Sequence, residues 1–294
     1  MLTALGRQRW RSYIAIALLG MATQGTAQTT EPINAGPYVP TPTVIVTELL
    51  KLADIKANDF VIDLGSGDGR LVITAATQFG ARGWGIDYQE HLVKLANENA
   101  QKDGVADRVK FVQGDLFKAN LQEASVVTLY LLPGTVTKLI PKFLDELKPG
   151  TRIVSHDYPL APWQHERVAQ FDFEEKVKIS GTTRTVLYRY VIPARIEGDW
   201  DVKLPAVISR QPGRFSFKRD ATLRVRGAAA IGGRSLAFDD ISVQGDAFGA
   251  RMQELKAGGE RIVLRGVING GAITGTAEVD GKQLPWSGTL RQKP

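Results

Sequence analysis

Val61-Ile-Asp-Leu-Gly-Ser-Gly-Asp-Gly-Arg70 is the stretch that decides the fold. Its first four residues read as the end of a buried strand, and the apolar periodicity from Leu71 to Phe79 reads as a helix. Between them, Gly65, Gly67 and Gly69 let the backbone turn sharply and approach a ligand where any Cβ would clash. A nucleotide-like cofactor is therefore expected at the start of that helix. The spacing excludes two common alternatives. A dinucleotide fingerprint needs glycine or alanine at position 70, where this chain has Arg70, and no lysine follows to make a phosphate-binding P-loop.

Outward from this loop the chain alternates strands and helices. Thr43 to Ala53 reads as a helix whose Val44, Val46, Leu49, Leu50 and Leu52 lie against a sheet. Strands are expected at Phe60 to Asp63, Gly83 to Asp87, Val109 to Gln113, Val126 to Leu131 and Arg152 to His156. Helices are expected at Glu90 to Asp103 and Val136 to Leu147. This is a βαβ series with a mostly parallel sheet. Phe171 to Ile179 and Thr183 to Val191, joined across Ser180-Gly181, should close it as an antiparallel hairpin.

Two further acidic positions belong with the glycine loop. Asp87 closes the run Arg82-Gly-Trp-Gly-Ile-Asp87, where a carboxylate can accept two hydrogen bonds from a cis-diol. The third strand leads into Gly114-Asp115-Leu116-Phe117. Asp63 with the Gly-x-Gly-x-Gly loop, Asp87 and Asp115, in this order, resembles the class I S-adenosylmethionine-dependent methyltransferases. The resemblance implies a Rossmann-like sheet and S-adenosylmethionine as cofactor. It further implies that the loop Asp63, Gly65, Gly67, Gly69 packs on the methionine part and that Asp87 holds the ribose hydroxyls. Asp115 would meet the adenine amino group, with Leu116 or Phe117 over the ring. Within the loop, Asp68 is a candidate to attract the sulfonium or amino group, and Arg70 to cap a carboxylate of the fold.

Tyr38-Val-Pro-Thr-Pro42, together with the glycine loop and Gly-Asp-Leu-Phe, is similar to the protein-lysine methyltransferases of the ATP synthase c subunit and their bacterial relatives, over roughly residues 38 to 165. The likeness implies that Tyr38 and Thr41 close over the methionine end, although Pro40 and Pro42 would equally serve to fix the path of the chain. The segment Val127-Thr-Leu-Tyr-Leu-Leu-Pro133 departs from the eukaryotic pattern. A protein amine, lysine, is the acceptor the likeness implies. A small molecule or lipid acceptor, or an exported binding protein that keeps the fold without catalysis, are the alternatives.

Methyl transfer is a direct displacement, so the protein's task is to align and desolvate the nucleophile. Tyr130, at the carboxyl edge where ligands bind in open α/β sheets, is the first candidate to orient an acceptor amine; its other reading is packing beneath Pro133. His156 on the same edge is a candidate base, or a hydrogen-bonded structural histidine.

The net charge of +6 invites a nucleic-acid partner, but its distribution argues against one. Residues 28–194 carry 18 basic and 20 acidic side chains, whereas residues 195–294 carry 16 and 11. There is no aromatic interleaving of a single-strand binder and no Asp/Asn-Pro-Pro-Tyr/Phe segment. With no cysteine and three histidines at unrelated spacings, no metal site is expected.

Arg7, Arg9 and Arg11 ahead of the apolar run Ile14 to Ala22 and the small residues to Ala27 read as a signal peptide over 1–27, hence export to a periplasm. An uncleaved membrane anchor is the alternative. Residues 28–194 form the expected methyltransferase domain. Past a linker at Pro193 to Asp199 the period changes, and residues 195–294 read as a small antiparallel β-domain. It should be a meander of about six to eight strands, closed or nearly so, with Trp200 and Trp286 near its two ends. Residues 221 to 227 are expected to be a strand. Further runs should end near Gly245, Gly266, Gly275 and Gly288, with tight turns at Gly232-Gly233, Asn269-Gly270 and Asp280-Gly281. Stabilisation, or recognition of a protein, lipid or envelope polymer, are its two expected roles. Nothing in the sequence sets an oligomeric state.

Overall fold

The computed structural model describes residues 38–252 and 261–292. The expected signal peptide over 1–27 lies outside the described residues. Helix α1 (Thr43–Leu52) precedes β1 (Phe60–Leu64), α2 (Arg70–Phe79), β2 (Arg82–Asp87), α3 (Glu90–Lys102) and β3 (Val109–Gln113). Next come β4 (Val126–Leu129), α4 (Pro133–Glu146), β5 (Arg152–His156), β6 (Arg167–Asp172), α5 (Val177–Ser180) and β7 (Arg184–Val191). The sheet order is β3-β2-β1-β4-β5-β7-β6, with β7 antiparallel to both neighbours and the other pairs parallel. Strands β1 and β4 are buried on both faces, as Val61, Ile62, Val126, Val127 and Leu129 require. Helices α1 and α2 and the apolar side of α3 bury Leu49, Leu50, Val72, Ala75 and Ala96 in one core, and α4 buries Val136, Leu139 and Phe143 in another.

The closing hairpin differs from expectation in its first arm. Strand β6 begins at Arg167 and ends at Asp172, paired with Arg184. Residues 174–180 then leave the sheet as a 3₁₀ turn and the short α5, ended by Gly181 at φ 72°. This turn brings the Lys176 amine to the Asp157 carboxylate at 2.6 Å, which a continued strand to Ile179 would not do. Helix α4 also starts earlier than expected, because Pro133 fits the first helical turn, where its missing N–H costs nothing.

The remaining strands are β8 (Gly198–Lys203), β9 (Gly213–Arg219), β10 (Val225–Ile231), β11 (Arg234–Gln244), β12 (Ala247–Met252), β13 (Ile262–Asn269), β14 (Ala272–Val279) and β15 (Lys282–Leu290). They form a closed eight-stranded antiparallel barrel in which β15 pairs back onto β8. Its interior holds Trp200, Phe215, Phe217, Phe248 and Trp286. The expected turns at Gly232-Gly233 and Asp280-Gly281 have positive φ at both central residues, which matches the twist of tight hairpins.

Two expectations for this region are corrected. Residues 220–224 make a turn instead of a strand, because the Asp220 carboxylate accepts from the Thr222 and Arg224 amides and Leu223 takes φ 64°. Gly266, Gly275 and Gly288 lie inside strands, not at their ends. A Cβ on Gly275 would sit 1.9 Å from the Arg265 carbonyl oxygen. That same oxygen accepts from Trp286 Nε1 at 2.9 Å, so the indole of β15 reaches across Gly275 of β14 to β13.

The barrel joins the sheet at the edge remote from the glycine loop. Ala194 N donates to Gly245 O at 2.6 Å, and Gly245 lies against Gly150, just before β5. Gly275→Ala is expected to destabilise the barrel by about 2–4 kcal/mol through overpacking against backbone. Urea denaturation followed by Trp fluorescence checks this, with Gly271→Ala, whose added Cβ would meet only Leu290 Cβ at 3.7 Å, as the comparison.

Candidate active site

The carboxyl ends of β1, β2, β3, β4 and β5 gather the expected site residues along one edge. After Leu64 the chain reverses: Gly65 and Ser66 both donate to the Ile86 carbonyl, at 2.9 and 3.0 Å. Gly65, Gly67 and Gly69 take φ of 83°, 54° and 84°, the left-handed region where only glycine is unstrained. The loop is also crowded. A Cβ on Gly65 would meet Leu131 at 2.7 Å and one on Gly67 the Tyr38 ring at 2.5 Å.

Asp87 terminates β2 with both oxygens oriented by backbone donors: Gly67 N to Oδ2 and Gln89 N to Oδ1, each 2.9 Å. A carboxylate has about four acceptor positions, so about two remain for a diol. Asp115 caps the short 3₁₀ turn Leu116–Lys118, its Oδ1 accepting from Phe117 N at 2.9 Å; among the described residues Oδ2 has no hydrogen-bond donor. Leu116 is buried behind it. These positions fit S-adenosylmethionine: a glycine cradle that side chains would fill, and an oriented diol acceptor above it.

Other expected residues are committed within the fold. Asp63 is buried and its Oδ1 accepts from the Thr128 hydroxyl at 2.6 Å. Burial, with Asp87 and Asp68 nearby, raises its pKa to about 7 despite that bond. Asp68 is held by Arg70 in a two-pronged pair, Nε to Oδ1 at 2.8 Å and Nη2 to Oδ2 at 2.6 Å. Burial works against its charge, but Arg70 wins and holds the carboxyl below its usual range. Arg70 therefore caps a carboxylate, as expected of it, and Asp68 is its partner. Arg70 Nη1 also donates to Thr41 O at 2.6 Å, tying the segment before α1 to the loop.

Thr41 is buried, and its hydroxyl lies 3.2 Å from His156 Nδ1. His156 is 1 % exposed, and its ring centroid lies 4.0 Å from that of Tyr130. Burial lowers the His156 pKa to about 4, more than Asp157 raises it, so the imidazole is neutral at physiological pH. Burial first, and then the Asp157 charge, raise the Tyr130 pKa, so its hydroxyl keeps its proton. Tyr158 stacks beyond it at 6.4 Å.

Asp157 and Lys176 are the residues that sequence reasoning missed. Asp157 takes φ 60°, unusual for a residue with a Cβ. Its carboxylate accepts from Lys176 Nζ at 2.6 Å and Val186 N at 3.1 Å, and Oδ2 lies 3.5 Å from the Tyr130 hydroxyl. In the sequence Asp157 reads only as a neighbour of His156; the signal available is its place just after a strand end. Lys176 lies in an expected strand and carries no signal. Among the described residues no group of three or more His, Cys, Asp or Glu could hold a metal.

A parallel sheet whose glycine loop is clasped by an acidic residue on the neighbouring strand defines a class I S-adenosylmethionine-dependent methyltransferase. Comparison with known proteins bears this out. The ANTKMT methyltransferase domain matches residues 63–167. A protein-lysine N-methyltransferase of Saccharolobus islandicus is 38% identical over 157 residues, covering 53% of this chain and 93% of the relative. The lysine N-methyltransferase of the ATP synthase c subunit from Xenopus laevis is 29% identical over 153 residues, 52% of this chain and 66% of the relative. Among solved structures, an RNA methyltransferase from Salinibacter ruber in complex with S-adenosyl-L-homocysteine is 48% identical, covers 54% of this chain and 96% of that one, and has a TM-score of 0.48. The chain belongs to the methyltransferase family of the Saccharolobus enzyme and the ANTKMT domain, and S-adenosylmethionine is its cofactor.

The Asp63 shift has a consequence for stability. Its folded pKa is raised above the unfolded value, so the folded state binds more protons than the unfolded state between about pH 4 and 7. Asp63 thus withdraws stability as pH rises through that window, and the loss is complete above it. Asp63→Asn, which still accepts from Thr128, is expected to melt higher than wild type at pH 8 and to show a shallower fall of Tm from pH 4 to 7; thermal melts across that range check both.

Proposed function

We propose that this methyltransferase acts on the side-chain amine of lysine in a protein. Two observations carry the reading: for the cofactor, Asp87, its carboxylate held over the glycine loop by Gly67 N with acceptor positions to spare, and for the acceptor, the likeness to protein-lysine methyltransferases. When bound, S-adenosylmethionine supplies an electrophilic sulfonium methyl. Asp87 would accept from the ribose hydroxyls and Asp115 Oδ2 from the adenine amine, with Leu116 or Phe117 over the ring. Tyr38, lying over Gly67, and Thr41, tied to Arg70, would close the methionine end, while the Asp68–Arg70 pair holds the loop in shape and Asp63 ties β1 to Thr128 of β4.

An acceptor lysine must shed its proton before its lone pair can attack. Tyr130 presents a neutral hydroxyl and an aromatic wall at the strand end, which orient the amine and reduce its solvation. His156, expected as a base or a structural histidine, suits the second role: buried and neutral, it packs under Tyr130 and is a positioning residue.

Among the described residues no helix is long and apolar enough to cross a membrane. Export by residues 1–27 belongs to the same proposal, and N-terminal sequencing of the mature protein from fractionated cells tests it, with Gln28 as the expected first residue.

Asp87→Ala removes two hydrogen bonds to a charged acceptor and is expected to weaken S-adenosylmethionine binding by roughly 100-fold or more in isothermal titration. Equal affinity in both proteins would sink the ribose assignment. Tyr130→Phe is expected to lower kcat about tenfold while leaving cofactor affinity unchanged, a loss of about one hydrogen bond. Labelled cofactor added to cell extracts is expected to mark protein, recovered as methyllysine after hydrolysis. Label confined to RNA, lipid or small metabolites would overturn the lysine reading.

A further inference from the structure

The barrel is closed, yet one of its seams is open over half its length. The β10–β11 ladder runs from Ile231↔Arg234 only to Ala228↔Ala237. Beyond that point Val225 to Gly227 pair with β9 alone, and Asp240 to Gln244 pair with β12 alone. The strands part where β11 shifts register between Phe238 and Asp240.

The hairpin turns show which backbone groups face the gap. Residues flanking a two-residue turn form a hydrogen-bonded pair, and the pairing direction alternates along each strand. Counting from Ile231↔Arg234, the N–H and C=O groups of Gly227 and Val225 point toward β11. Counting from Gln244↔Ala247, those of Val243 and Ile241 point away from β12, toward β10. Four residues therefore aim backbone donors and acceptors at one another across a gap that no described strand fills. The core beneath stays sealed, since Ile241 Cδ1 lies 3.0 Å from the Cβ position of Gly227.

This gap is one wall of a cleft of about 740 Å³ whose other wall is the methyltransferase segment Trp163 to Glu166. Arg224 Nη2 bonds Gln164 Oε1 across it at 3.3 Å. The cleft's charges balance, with Arg219, Arg224 and Arg226 against Glu166, Asp239 and Asp240, and Trp163, Phe238 and Val243 add apolar surface to its lining. That lining favours neither a polyanion nor a polycation. It suits a polypeptide backbone flanked by mixed side chains.

We propose that the β10–β11 seam is a docking slot for an extended segment of the acceptor protein, which adds as a strand between Val225–Gly227 and Ile241–Val243. Main-chain hydrogen bonds give such an interaction its affinity with little demand on sequence. The slot deepens the lysine reading and rests on it for the identity of its occupant. Strand β5 separates the slot's edge of the sheet from the edge bearing Tyr130. Its five residues span about 16 Å, at about 3.3 Å each. A docked segment therefore lies at least about five residues from the lysine it delivers.

The test uses the full chain and carboxymethylated casein, an extended lysine-bearing polypeptide. Hydrogen exchange without cofactor is expected to show casein-dependent protection at Val225–Gly227 and Ile241–Val243. Because the chain has no cysteine, Arg226→Cys, an exposed position lining the cleft, can be alkylated with a bulky maleimide at one site; Val207→Cys, on an exposed loop, is the control. Alkylation at 226 is expected to raise KM for casein about tenfold with kcat unchanged, and to leave KM unchanged for a lysine tripeptide too short to span from slot to site. Unchanged KM for casein, or protection elsewhere, overturns the slot. Protection by single-stranded DNA or dextran but not by casein overturns the polypeptide assignment. Protection and binding of casein without methyllysine would instead defeat the lysine reading and leave the slot standing.

Discussion

The hydrogen bond from Gly67 N–H to Asp87 holds this half of the molecule to its function. It ties the loop after β1 to the end of β2, and the loop can reach it only because three glycines accept left-handed backbone within five residues. Gly65 and Ser66, sharing the Ile86 carbonyl, lead the chain there. Asp68, Arg70 and Thr41 then attach the chain before α1 to the same loop, and Thr41 reaches His156 at the end of β5. One bonded path thus links three strand ends of the sheet. A side chain in place of Gly67 would break it twice, through backbone strain and through collision with Tyr38.

Charge along the site edge stays low around Tyr130. Asp63 titrates near neutrality, His156 is uncharged, Tyr130 keeps its proton, and Asp157 is matched by Lys176. Each of these follows from burial, which penalises an unpaired charge, so the same packing that holds Tyr130 in place also removes strong bases from its surroundings. Such an edge suits a nucleophile that must arrive neutral.

The loop, Asp87 and Asp115 were legible because strand, glycine and acid follow one another locally, and the parallel sheet because its hydrophobic runs are short and evenly spaced. The β-barrel was legible as a meander from its turn pairs. What escaped was non-local. Gly266 and Gly275 look like turn residues in one dimension, and only the packing of Trp286 across β14 explains them within strands. Residues 174–180 have strand-like composition, yet the pull of Asp157 on Lys176, some twenty positions away, coils them. Asp220 gives no warning in the sequence because its effect is to end a strand, and periodicity does not register a carboxylate that captures its own downstream amides.

The barrel meets the sheet at Gly150 and Ala194, at the edge opposite the one that bears the glycine loop. This leaves the cofactor edge uncovered by the barrel. Donor can therefore enter and leave along a side of the sheet that the barrel does not cover, so the two halves of the chain need not move apart for the cofactor to exchange.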